Sequence, residues 1–236
     1  DSTSSRGLGD VYKRQFCVQE PYDRGGAPGD EDVSGTEDCL YLDIQAPLSN
    51  LESKLPVMFW IHGGGNTSGL KDSYNFSKLV RKEEVIVVSI NYRLGAFGWF
   101  THPSIQGLQS GLDKSSNFGT LDIIAALRWT QENIEKFGGD PNNVTIFGES
   151  AGGHNVLSLL VSKEAKGLFN KAISQSGYTT TYSIKEAYKP EDSSNTSDAS
   201  SSEIFSRLLK SIEYPKSEDE LDLSLIHISE PTRRSA

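Results

Sequence analysis

Residues 144–161 constrain this chain more than any other stretch. A short apolar run, Val144 to Phe147, meets Gly148-Glu149-Ser150-Ala151-Gly152 and continues as an apolar stretch of helical spacing, Ala151 to Val161. A strand that becomes a helix within so few residues leaves almost no room at the corner. Glycines two before and two after Ser150 supply that room, and the corner serine itself takes a backbone conformation that L-residues rarely adopt.

The rest of the chain reads as the surroundings of such a corner. Cys39 to Gln45 alternates well enough for a strand, and Leu55 to Ile61 and Val85 to Ile90 are apolar runs of the length expected for buried parallel strands. From Thr120 the spacing is helical, with Ile123, Ile124, Leu127 and Ile134 on one side and Gln131, Glu132 and Glu135 on the other. Gly138-Gly139 ends that helix, and Ala172 to Gln175 is one more short strand. The alternation predicts an α/β fold, a mostly parallel central sheet with helices on both faces and right-handed crossovers. Residues 16–38 are a Gly-, Asp- and Pro-rich loop between two cysteines. Residues 183–220 are Ser-, Asp- and Glu-rich apart from an amphipathic patch at Ile204, Leu208, Leu209 and Ile212, which reads as one helix.

Both ends are set aside. If Asp10 to Gln15 is written GAT GTG TAT AAG AGA CAG, the opposite strand translates as Leu-Ser-Leu-Ile-His-Ile, which is residues 223–228. Extending the first copy upstream over Ser5 to Gly9 continues the opposite strand as Ser-Glu-Pro-Thr-Arg, residues 229–233. The pair resembles a translated sequencing adapter at both ends of an incomplete transcript. Residues 1–15 and 223–236 are therefore read as non-native scars, leaving 16–222 as a truncated domain, and His227 is discarded with the second scar.

Composition excludes some classes of function. The chain's 236 residues carry a formal net charge of −9, and no concentrated basic face is visible, which argues against a nucleic-acid partner. No apolar run approaches the roughly 18 residues that a spanning helix requires. The two cysteines have no metal-ligand spacing, so neither a metal nor a cofactor is expected.

The chemistry concentrates in two motifs. Ser150 lies on a G-x-S-x-G elbow, and the helix that follows points free N–H groups toward its hydroxyl, a setting for a nucleophile. His62-Gly63-Gly64-Gly65 follows directly after the strand ending at Ile61. Acyl transfer needs backbone N–H groups aimed at a tetrahedral oxyanion, and glycines let the backbone approach. Gly64 and Gly65, with the N–H of Ala151, are the natural donors, and Gly148 and Gly152 are the elbow glycines.

Glu37 to Leu42 (E-D-C-L-Y-L), the His62 to Gly65 run, Asn91 to Gly98 (N-Y-R-L-G-A-F-G) and Phe137 to Gly153 (F-G-G-D-P-N-N-V-T-I-F-G-E-S-A-G-G) together resemble the type-B carboxylesterase and cholinesterase family. The likeness spans about residues 16 to 180. It implies an α/β-hydrolase of roughly twice this length that cleaves small carboxylic esters through an acyl-serine, with Ser150 as nucleophile. The family's acid and histidine would fall beyond Asp222, so the triad's acid and His are absent and the fragment is expected to be inert. His62 and His154 read as structural and His102 as a solvated loop residue. Glu149 resembles the acidic residue the family uses to tune the site, although an ordinary polar residue fits equally.

In the family the pair equivalent to Cys17 and Cys39 forms the first disulfide; unpaired thiols stay open as the alternative. A disulfide and the sequons at Asn75 and Asn195 imply a secreted or ER-luminal glycoprotein, while Asn66 and Asn143 abut a turn and a strand. The oligomeric state is not legible. Residues 18–38 hold no tryptophan of the kind that binds choline by cation–π attraction in cholinesterases. A non-catalytic neuroligin-like adhesion protein is the rival, disfavoured by the intact Ser150. Asn66 departs from the aromatic residue the family usually has after the triple glycine, which leaves the acyl pocket undefined.

Overall fold

A computed structural model of the chain describes residues 16–21, 26–29, 32–47, 54–188 and 200–211. Both adapter-like segments, Asn195 and Ile212 lie outside the described residues. In chain order, the elements are β1 (Leu42–Gln45), β2 (Leu55–Ile61), α1 (Ser77–Glu83), β3 (Ile86–Ile90), α2 (Gly95–Gly98), α3 (Pro103–Leu108), α4 (Phe118–Asn133), β4 (Gly139–Glu149), α5 (Ala151–Val161), β5 (Lys171–Gln175), α6 (Ile184–Tyr188) and α7 (Ser201–Ser211). They fall into two compact units, one of Asp1–Gly98 with Phe118–Thr179, the other of Trp99–Asn117 with Thr180–Ala236.

The first unit is a sheet in the order β1-β3-β2-β4-β5. β1 runs antiparallel to β3 and the other pairs are parallel, with Phe59 opposite both Val88 and Ile146. Because side chains alternate across a strand, Val57, Phe59 and Ile61 share one face with Ile86, Val88, Ile90, Val144 and Ile146, and all eight are fully buried. Helices α4 and α5 pack against the sheet. Met58, Trp60, Val87 and Phe147 occupy the opposite face, where Leu79 and Val80 of α1 cover them. Helices therefore lie on both faces, as the alternation predicts.

The expected runs agree with the structure where burial supplied the pattern. β2 and α5 have the predicted bounds, and Ile123, Ile124, Leu127 and Ile134 are buried. β1 starts at Leu42 instead of Cys39, because the Cys39 carbonyl is taken by the Tyr41 N–H at 2.8 Å and the Asn91 side chain at 3.1 Å. β4 extends back to Gly139, through Pro141, by way of a register shift between Leu55 and Val57; a proline in a strand is tolerated at such an irregularity. Gln131, assigned to the solvent side of its helix, is half-buried and donates to the carbonyls of Pro141 at 2.8 Å and Leu168 at 3.0 Å. α1 escapes the sequence reading because Val80 is its only fully buried residue.

In the second unit His102 overturns its expectation. It is only 4% exposed, its ring lies 4.2 Å from that of Phe205 and 5.4 Å from that of Tyr188, and its Nδ1 accepts the Ser104 N–H at the start of α3. The sequence offered only a His-Pro pair in a loop, and the aromatic partners come from residues far along the chain. α7 forms where the amphipathic patch placed a helix, with Ile204 and Leu208 exposed.

Cys17 and Cys39 are joined in a disulfide across 22 residues, which settles the alternative left open by their spacing. Closing a loop of that length removes chain entropy from the unfolded state worth about 3 kcal/mol. Replacing both cysteines by serine is expected to lower the unfolding free energy of the chain by about that amount, measured as a lower urea midpoint with an m-value that is equal or larger, because the unfolded chain is less restrained. An unshifted midpoint would mean that the unfolded loop is already restrained.

Candidate active site

Ser150 stands at the carboxyl end of β4 with φ 56° and ψ −120°, a conformation costing on the order of 1–3 kcal/mol for a residue with a side chain. The surroundings hold it there. The Ser150 N–H donates to the Gln175 carbonyl at 2.8 Å, and its own carbonyl accepts the His154 N–H at 3.0 Å, which opens α5. A Cβ on Gly148 would lie 2.5 Å from the Gly152 carbonyl, and one on Gly152 would collide with the Ile61 carbonyl. The elbow glycines are thus required by backbone crossing backbone. Sequence reasoning missed Gly153 and Gly177, which cross each other where α5 passes the end of β5; the second glycine of Gly152-Gly153 was the available signal.

The triple-glycine turn lies against this corner. A Cβ on Gly63 would sit 3.3 Å from the Ser150 Cβ and 2.7 Å from the Glu149 carbonyl oxygen. Gly64 and Gly65 have φ of 99° and 65°, open to glycine and strained for other residues. Two carbonyls of the turn, those of Gly63 and Gly64, are engaged. Gly63 accepts from His62 Nδ1 at 2.8 Å, and Gly64 accepts the N–H groups of Thr67 at 3.1 Å and Ser68 at 3.0 Å. In a trans peptide the N–H opposes the C=O, so these bonds aim the Gly64 and Gly65 N–H groups the other way. Neither donates to another described residue. The Ala151 N–H, in the first turn of α5, is among those a helix leaves unpaired.

His62 is the strut of the turn. Its ring stacks on Tyr92 at 4.3 Å and 16°, and the Tyr92 hydroxyl donates to the His62 carbonyl at 2.6 Å. Burial pulls the imidazole down to about 4, partly offset by the bond to Gly63. It is neutral, with the proton on Nδ1, and burial drives the Tyr92 phenol up. Asn66 also takes a left-handed φ of 60°, which asparagine tolerates. Its side-chain oxygen accepts from buried Asn155 at 2.9 Å, which ties that side chain inward.

The remaining site residues are placed as follows. Glu149 reaches toward Gly63 and lines a recess of 370 Å³ with Trp60, Phe147, Ile173 and Gln175. His154 binds the Tyr178 carbonyl through Nδ1 at 2.5 Å and stacks on that ring. Among the described residues the Ser150 hydroxyl has no hydrogen-bond partner, and no cluster of His, Cys, Asp and Glu could hold a metal. Asn75 is exposed, and its Oδ1 accepts from the N–H and hydroxyl of Ser77.

A mostly parallel sheet carrying a strained serine between strand and helix, beside a glycine turn, defines an α/β-hydrolase fold. Comparison with known proteins narrows the class. Residues 12–208 match the model of the carboxylesterase family. The chain is 45% identical to liver carboxylesterase of Sus scrofa over 198 residues, 80% of this chain and 33% of that protein. It is 51% identical to the medium-chain fatty acyl-CoA hydrolase precursor of Anas platyrhynchos over 66% of this chain and 27% of that one. The solved structure of a thermophilic PNB esterase superposes with a TM-score of 0.69 at 39% identity, covering 91% of this chain and 40% of its own. The chain belongs to the carboxylesterase family, and it spans about a third or less of the length of these curated relatives.

Two outcomes follow from the geometry. Ser150→Gly is expected to raise the unfolding free energy by about 1 kcal/mol by releasing backbone strain, whereas Ser150→Ala leaves it nearly unchanged; equal effects in urea titrations would place the strain elsewhere. His62 titrates near its ordinary 6.5 when unfolded and near 4 when folded, so the unfolded chain takes up the proton first. Its contribution is full above pH 6.5, drains as pH falls toward 4, and amounts to about 3 kcal/mol. Unfolding curves from pH 7 to 4 should be correspondingly flatter in His62→Asn, and identical slopes would refute the assignment.

Proposed function

We propose that this chain is part of a serine hydrolase that cleaves small carboxylic esters through an acyl-serine intermediate. The observation that carries the reading is the strained Ser150 lying against the triple-glycine turn. In this reading Ser150 Oγ attacks the ester carbonyl carbon, and the electron pair of the C=O moves onto oxygen. The N–H groups of Gly64, Gly65 and Ala151 receive that oxyanion; they need no reorganisation, because the bonds to Gly63 and Gly64 already orient the turn. Collapse of the tetrahedral species expels the alcohol, which leaves with the proton that a base has taken from the Ser150 hydroxyl, and gives the acyl-serine; water, losing a proton to the same base, then releases the carboxylic acid and restores Ser150.

The base comes from sequence outside residues 16–222. His62 is buried and neutral, His154 is bound to Tyr178, and His102 is packed among aromatic rings. The 236-residue chain is therefore expected to be inert by itself, since an unactivated serine hydroxyl is a weak nucleophile. Glu149, beside Gly63, adjusts the field at the site. The names of the relatives, a liver carboxylesterase and a fatty acyl-CoA hydrolase precursor, support ester substrates as a class. The disulfide favours an oxidising compartment, secreted or ER-luminal, with Asn75 and Asn195 as glycosylation sites. Residues 1–15 and 223–236 are adapter-derived. No helix among the described residues is long and apolar enough to cross a membrane.

Turnover of p-nitrophenyl acetate tests the reading. The longer protein should hydrolyse it, Ser150→Ala should reduce kcat on the order of 10⁶-fold, and the 236-residue chain should show no Ser150-dependent rate. Full activity in Ser150→Ala would overturn the assignment of the nucleophile.

A further inference from the structure

Gln19 lies in the loop closed by the disulfide, two residues after Cys17, yet only 5% of it is exposed. Its side-chain amide makes four hydrogen bonds. Nε2 donates to the carbonyls of Cys17 and Gly69, both at 3.0 Å, and Oε1 accepts the N–H groups of Gly69 at 2.8 Å and Ala27 at 3.0 Å. The amide thus pairs with both polar groups of Gly69, fifty residues away. Only an amide side chain presents two donors and an acceptor in that arrangement. Asparagine is one methylene shorter, and glutamate would turn oxygen toward both carbonyls.

Gly69 is not an ordinary loop residue. Its φ is +121°, and a Cβ there would collide with His62 Nδ1 and lie 2.6 Å from the Gly63 carbonyl oxygen. The Gly69 backbone therefore backs the hydrogen bond by which His62 Nδ1 holds the Gly63 carbonyl. The same Gly63 peptide carries the Gly64 N–H at its other end. Gln19 fixes Gly69, Gly69 confines the imidazole, and the imidazole sets the plane of the donor peptide.

We propose that Gln19 is a positioning residue for the oxyanion donors: it transmits the rigidity of the disulfide loop to the Gly64 N–H through Gly69 and His62. The inference rests on the functional reading above for its catalytic consequence, but its mechanical part stands without it. Removing the clamp leaves ester binding intact and displaces a donor, so the transition state is weakened more than the ground state.

The test compares Gln19→Met, which keeps the volume and loses all four bonds, with Gln19→Glu, which keeps the two acceptor contacts. In the longer protein, kcat for p-nitrophenyl acetate per fluorophosphonate-titratable serine should fall about 10- to 100-fold in Gln19→Met, and less in Gln19→Glu. KM should stay within about twofold, and affinity for a trifluoromethyl ketone, which forms a tetrahedral adduct, should fall in parallel with kcat/KM. In the 236-residue chain, amide exchange of peptides covering residues 62–70 should quicken about tenfold in Gln19→Met while residues 86–90 keep their protection.

A wild-type protein without Ser150-dependent turnover would sink the functional reading, and the exchange measurement would still decide the clamp. Unchanged kcat per titrated site, or unchanged exchange at residues 62–70, would overturn the proposal. If neither variant retains a titratable serine or folded protein, Gln19 serves the fold alone and the proposal falls.

Discussion

The structure depends on one crowded crossing, where the Gly152 backbone passes the carbonyl of Ile61 at the top of two parallel strands. That approach forces the chain to leave β4 abruptly, which puts Ser150 at a positive φ. Strain of this kind persists only when neighbours over-determine it. Here the Gln175 carbonyl, the start of α5 and the buried strand Val57 to Ile61 all hold the corner. The hydroxyl at its tip is presented at the sheet's carboxyl edge, where ligands gather in folds of this kind.

Around the corner, buried amides do what a hydrophobic core cannot do for loops. Gln19 pairs with Gly69, Asn91 joins the Lys71 N–H to the Cys39 carbonyl, and Asn155 holds Asn66. Each amide satisfies backbone or side-chain groups that burial would otherwise penalise by about 1–3 kcal/mol apiece. The bidentate pair of Arg93 with Asp122 does the same between the segment after β3 and α4, with contacts of 2.7 and 2.8 Å. Loop segments far apart in sequence are thereby fixed relative to the sheet.

One region of the sheet is left comparatively open. Among the described residues β5 is the last strand on its side of the sheet, Ile173 is 46% exposed, and the recess beside Glu149 is lined by rings from β2, β4 and the segment before α1. The recess is lined mainly by Met58, Phe76, Phe147, Ile173 and the rings of Trp60 and Tyr74, with Glu149 and Gln175 as its charged and amide side chains.

The succession of the five strands with α4, α5 and α7, the elbow at Ser150 and the glycine turn after Ile61 were legible in the residues, because they rest on local causes. Alternation and helical spacing record which faces are buried, and glycines record where backbones must cross. What depended on distant partners was not legible. Burial of His102 needed Phe205, the two extra glycines of the corner needed each other, and the clamp of Gln19 on Gly69 needed a loop to fold back over fifty residues. A side-chain amide reads the same in any sequence, and only the folded chain decides which backbone groups it meets. The sequence by itself thus determined the strand-to-helix corner and its serine; the tertiary structure decided what braces the glycine turn beside that corner, since Gln19 and Tyr92 reach Gly69 and His62 from segments remote in the chain.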